Sequence, residues 1–197
     1  MTARFTAMVG FALLALGVSA PGARADISSA LNPFSAFYNN VARAAEANDV
    51  GKVRAMLTSG NNVNEVEDDT QRTGLHESAI NGNLQIAAIL IKAGARIDAR
   101  DNLGNTPLLY AADHDHLEMA KLLLDVGAQI DAENKNGMTA LMVAAKDGEV
   151  EMVRSLLARG ANPNKSDYTG RDALGWALDS HRQALVVLLK DAQAHKH

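Results

Sequence analysis

"GNTPLLYAADHDHLEMAKLLLDVGAQIDAE", residues 104–133, is a phrase that the chain repeats. Its Thr106 stands 33 residues after Thr73 in "RTGLHESAINGNLQIAAILIKAGARIDAR" and 33 before Thr139 in "GMTALMVAAKDGEVEMVRSLLARGANPNK". A fixed period of about 20–50 residues marks a stacked array in which each unit buries its apolar face only against its neighbours. The units open with "TGL", "TPL", "TAL" and, at Asp172, "DAL". A Thr or Asp oxygen accepts from the unpaired amides of a helix start, and Pro107 suits a first helical position because it has no amide to leave unpaired. A short helix is therefore predicted after each, ended by the polar stretches "NGN", "DHDH", "DGE" and "DSH".

A second helix follows each turn. In "LQIAAILIKAG", "LEMAKLLLDVG" and "VEMVRSLLARG" apolar residues recur at three and four, and Gly94, Gly127 and Gly160 close them where a left-handed backbone is wanted. Ala111, Ala112, Ala144 and Ala145 are small where neighbouring helices must approach closely. The unit is turn, helix, turn, helix.

These residues resemble the ankyrin repeat, whose pattern of Gly-x-Thr-Pro-Leu-His, Ala-Ala, a Gly-His turn, Leu-Leu and Gly-Ala is most complete over residues 104–128. Glycine opens three units at Gly104, Gly137 and Gly170, and Gln71 replaces it in the first of the four. The histidine of the "TPLH" box survives only as His76, with Leu109, Met142 and Gly175 in its place elsewhere. An incomplete copy, "ARAAEANDVGKVRAMLTSGNNVNEVED", comes before, and one extra residue separates Gly60 from Gly94. At the far end Lys190 and Gln193 replace an aliphatic residue and a glycine, which gives the last copy a polar outer face. The expectation is an all-α ankyrin-repeat solenoid of about five units over residues 34–194, with degenerate end caps.

Residues 1–25 read as a secretory signal: Arg4, an apolar run from Phe5 to Ala20, and the small-x-small site "ARA" before Asp26. The run is short for a membrane span, and no cysteine is present for lipid attachment, so a soluble exported chain is expected, cleaved after Ala25. Residues 26–33 are then a short extension and 195–197 a tail. Cleavage removes Arg4 and Arg24 from 19 basic side chains, leaving 17 against 23 acidic ones and a net charge of −6. That excludes a basic nucleic-acid face. The absence of cysteine excludes disulfides and thiolate metal sites and suits a bacterial periplasm.

For chemistry, "DHDH" at residues 113–116 and "HKH" at 195–197 are the ligand-rich stretches. His116 falls where the repeat itself has a turn histidine, and two turn histidines do not make a zinc site, so no metal or other cofactor is assigned. No phosphate loop, dinucleotide fingerprint or nucleophile elbow occurs, and the chain is not read as an enzyme. Trp176 reads first as a cover for the end of the core.

The resemblance implies that turn tips and first helices line a concave face whose variable positions carry specificity. By motif position these include Leu103, Met138 and Tyr168 as anchors, supported by Arg72, Arg171 and His114. It implies an exported, monomeric module that binds another protein, with an accessory role to a periplasmic catalase or other stress protein as one version. An immunity protein that occludes a toxin or hydrolase is the second reading, and a metal-dependent hydrolase the third.

Overall fold

The computed structural model describes residues 40–67, 69–180 and 182–194. The leader and its cleavage point, the 26–33 extension, residues 34–39, His181 and the 195–197 tail lie outside the described residues. Among those described, ten helices form five pairs: α1 (Val41–Glu46) with α2 (Val50–Thr58), α3 (Gly74–Ile80) with α4 (Leu84–Lys92), α5 (Pro107–Asp113) with α6 (Leu117–Asp125), α7 (Ala140–Asp147) with α8 (Val150–Ala158), and α9 (Ala173–Asp179) with α10 (Gln183–Ala194). First helices stack in chain order as one layer and second helices as the other. The only β pairing among the described residues is two isolated antiparallel bridges, Val66 with Thr73 and Ser166 with Asp172.

The caps set the register. Thr106 and Thr139 accept from the amides of Leu109 and Met142, and Asp172 Oδ1 from Gly175 N at 2.7 Å, so the aspartate keeps the function of the threonine it replaces. At Thr73 the cap is reciprocal, with His76 Nδ1 accepting from the Thr73 amide at 3.1 Å. Between layers the packing is small on large. Ala79, Ala111, Ala112, Ala144 and Ala145 are wholly buried, and Leu90, Leu123, Leu156 and Leu189 fill the space between second helices and first.

Three successive turns are each organised by one side chain. Asp101 Oδ1 accepts from the amides of Leu103 and Asn105, both at 2.8 Å. Asn134 and Asp167 repeat this with Asn136 and Met138, and with Thr169 and Arg171. Successive turns are then joined through the backbone: Asn102 N to Thr70 O, Lys135 N to Leu103 O and Tyr168 N to Asn136 O, at 3.0, 3.0 and 3.1 Å. A second row runs beneath, in which Asn64, Asp98 and Asp131 accept from the amides of Arg96, Gln129 and Asn162.

Gln71 occupies the opening glycine position at φ +59°, a left-handed conformation that costs a side-chain-bearing residue roughly 1–2 kcal/mol. Glycine reaches it without that strain but gives up more freedom on folding. Gln71→Gly is therefore expected to stabilise by about 0.5–1 kcal/mol net, read as a rise in the urea midpoint at unchanged slope. A fall in the midpoint would show that the Gln71 side chain contributes more than the strain costs.

At the C-terminal end α10 runs through the position where other second helices stop. Gln193, standing for the glycine, donates to Pro163 O at 3.2 Å and Asp172 Oδ2 at 2.8 Å and ties the last helix to its own turn. The polar outer side expected of this copy is only partly realised. Lys190 is exposed, but so are Leu178 and Val187, at 57% and 49%. Leu178 takes the place of Ala112 and Ala145, and no further described repeat stacks on it.

Candidate protein-binding surface

The turn tips and first helices present one continuous face, and its relief is set by the residues that follow each Thr cap. Four residues into α5 stands Tyr110, and 33 residues on are Val143 and then Trp176. Tyr110 donates its hydroxyl to Asp101 Oδ2 at 2.6 Å, and Trp176 Nε1 donates to Asp167 Oδ2 at 3.0 Å. Each aromatic is thus locked to the carboxylate that organises its turn. Burial and the Asp101 hydrogen bond raise the Tyr110 hydroxyl above its ordinary pKa. At Asp167 burial alone would raise the carboxyl, but donation from Thr169, Arg171 N and Trp176 outweighs it and holds the group below the usual range.

Beside Tyr110, over Val143, the face sinks into a pit of about 240 Å³. Leu103, Leu109, Met138 and Val143 supply its apolar lining, and Tyr110, Asn105 and Asn134 its polar side. Lys135, Lys146 and Asp113 also line it. Leu103 is 61% exposed and Met138 half-buried, so the structure brings these two sequence-predicted anchors together at one place.

The other predicted positions lie around that place. Tyr168 is 74% exposed at the next tip, with its ring over Gly137, and does not line the pit. The two arginines are packed on the aromatic rings. Arg72 Nε donates to the Tyr110 hydroxyl at 3.2 Å, its guanidinium lies 5.0 Å from the ring centroid, and Nη1 is 3.5 Å from Glu77 Oε1. Arg171 lies 4.5 Å over the Trp176 ring and pairs with Asp179. Glu77 is nearly fully buried, and burial, reinforced by Glu46 and Glu67 and opposed by Arg72, raises its carboxyl pKa.

His114, partly exposed, sits 3.1 Å from Tyr110 O and stacks on His116 at 6.1 Å between centroids. His116 Nε2 donates to Ile80 O at 2.9 Å, a bond between neighbouring repeats. Among the described residues no three His, Cys, Asp or Glu side chains group to hold a metal ion, and no helix is long and apolar enough to cross a membrane.

His76 has a determined tautomer, because Nδ1 accepts from an amide while Nε2 must donate to Asn105 O at 3.1 Å. Burial pushes its pKa below the ordinary 6.5. The unfolded chain therefore takes up this proton at a higher pH than the folded one, and stability is lost as pH falls below about 6.5, by at most ~1.4 kcal/mol per unit. Glu77 acts oppositely, since its raised carboxyl gains a proton first in the folded state. Comparison of urea midpoints at pH 7 and 5.5 for the wild type and His76→Leu isolates the histidine, and the loss on acidification should shrink in the variant. Equal losses would show that His76 carries none of it.

Sequence reasoning passed over Val143, Leu109 and Tyr110 as parts of this surface. The available signal was the 33-residue register itself, which sets a small residue between two aromatics. A family model described as ankyrin repeats, in three copies, matches residues 41–134 and 126–197. No curated protein matches the chain.

Proposed function

Since the chain belongs to the ankyrin-repeat family, a family of protein-interaction modules that are generally not enzymes, we propose that it holds another protein on the face formed by its turn tips and first helices. The observation that carries this reading is the pit with exposed Leu103 at its rim and Met138 in its lining, next to the exposed Tyr168 of the following tip. Exposed apolar groups around a recess are what an interface anchor requires.

The leader pattern of residues 1–25 and the lack of cysteine support an exported, periplasmic setting. There a monomeric accessory to a catalase or another stress protein is the specific version of the role. The test is co-purification of the tagged mature chain from the periplasm, beside a Leu103→Ala, Met138→Ala, Tyr168→Ala variant of unchanged fold. Truncating true anchors costs about 2 kcal/mol or more each, at least ~30-fold in Kd, so a stoichiometric partner should be lost from the variant. A partner held equally by both forms would place the interface elsewhere. Catalase activity in the wild-type eluate, and its absence from the variant's, would identify the specific version.

A further inference from the structure

The fourth position of successive first helices reads Glu77, Tyr110, Val143, Trp176, and in the last three the residue that organises the turn reads Asp101, Asn134, Asp167. Where the ring is present, a carboxylate oxygen accepts from it. At Val143 the ring is absent and Asn134 stands where the carboxylate would be, whereas at Glu77 the ring is also absent but the turn keeps an acid, Glu67. The pit lies over Val143, beside Tyr110.

Its floor is chemically defined. Asn134 Oδ1 accepts from the amides of Asn136 and Met138, which fixes the amide orientation and turns Nδ2 toward Asn105 Oδ1 at 3.0 Å. The size is defined as well. About 240 Å³ lies under the ~300–1,000 Å³ typical of small-molecule pockets and suits a single side chain presented by a larger partner.

The charge around the pit has a sign. Lys146 is 3.6 Å from Asp147 and Asp113 is 3.6 Å from His114, whereas Lys135, exposed beside Leu103, pairs with no carboxylate among the described residues. Its backbone amide is fixed by Leu103 O, so the ammonium projects from an anchored position. The flanking arginines offer no competing charge, since Arg72 and Arg171 are engaged with Glu77 and Asp179.

We propose that the Val143 pit receives an aromatic side chain of the partner protein, from a segment that carries an Asp or Glu within about two residues of that ring. The bound ring completes the row between Tyr110 and Trp176, against Leu103, Leu109 and Met138, while the acid meets Lys135 at the rim. This rests on the reading of the tip-and-helix face as the binding face and narrows it to one recess and one kind of segment.

The test fills the pit from within. Val143→Tyr with Asn134→Asp copies the Tyr110–Asp101 pair, so the fold should be kept, checked by an unchanged or higher Tm. The probe is a phage-displayed library of random dodecapeptides selected on the wild-type mature chain. Expected are peptides enriched in Phe, Tyr or Trp beside Asp or Glu, bound about 30-fold more weakly by the filled variant. Lys135→Glu, an exposed change that leaves the fold alone, should weaken the same peptides and shift selection toward aromatics beside Lys or Arg.

Peptides without an aromatic, an aromatic flanked by bases on the wild type, full binding by the filled variant, or no enrichment at all would each overturn the proposal. Failure of the broader reading looks different: peptides or the natural partner would then bind the Leu103, Met138, Tyr168 triple alanine variant as well as the wild type. Loss in the triple variant with full binding in the filled one rejects the pit alone.

Discussion

Leu123→Ala is expected to destabilise the protein by ~2–5 kcal/mol, because the leucine is wholly buried in the central pair and the cavity left cannot be refilled by a rigid neighbour. That is a large share of the ~5–15 kcal/mol that holds a domain of this size together. The effect is amplified by architecture. A repeat touches only the pairs on either side, so weakening the centre also weakens the coupling of the outer pairs. Urea unfolding should show a lower midpoint and a shallower or split transition, as the two halves cease to melt together. Leu122→Ala, at a half-buried position on the same helix, should cost less than half as much. A loss under about 1 kcal/mol for Leu123→Ala, or a single steep transition at the same midpoint, would refute this account of the core.

Asp101→Ala comes next, at about 3 kcal/mol. Three donors lose their acceptor at once: the amides of Leu103 and Asn105 and the Tyr110 hydroxyl. A buried donor left unpaired costs ~1–3 kcal/mol, and the partial exposure of the tip lets water recover some of it. Asp101→Asn is the control. Asn134 already performs the turn-organising part of the task in the next repeat, so the asparagine should cost only about 1 kcal/mol, mostly through the weaker bond to Tyr110. If the two variants melt alike, the Oδ1 acceptor at this position is not what orders the turn. Asp101→Ala should also loosen Arg72, which reaches the same hydroxyl.

Much of this was legible in the sequence, and the reason is local. A Thr or Asp cap, a proline at the first helical position and a glycine after the last turn each act within four residues. The pattern of Thr106, Pro107 and Gly127 therefore fixes its helices whatever lies nearby. The replacement of glycine by Gln71 was visible too, and the backbone there keeps the glycine conformation. Less legible was whatever depends on the direction a long side chain takes between repeats. Arg72 and Arg171 stand at the same motif position, but one crosses to the ring of the following repeat and the other lies on a ring of its own. Nothing within one repeat decides that. The pit was hidden for a related reason: it is a missing volume, visible only when Val143 is set beside Tyr110 and Trp176.

The amides of Asn102, Lys135 and Tyr168 are each satisfied by the preceding turn, one for each step from tip to tip. They therefore act as three separate gauges of how often each seam comes apart. In deuterated water, a seam that opens without global unfolding would release its own amide while the other two stay protected. A partner seated across the Lys135 seam would slow that exchange first, so the order in which the three signals fade, with and without a ligand, would map where the load of binding falls along the stack.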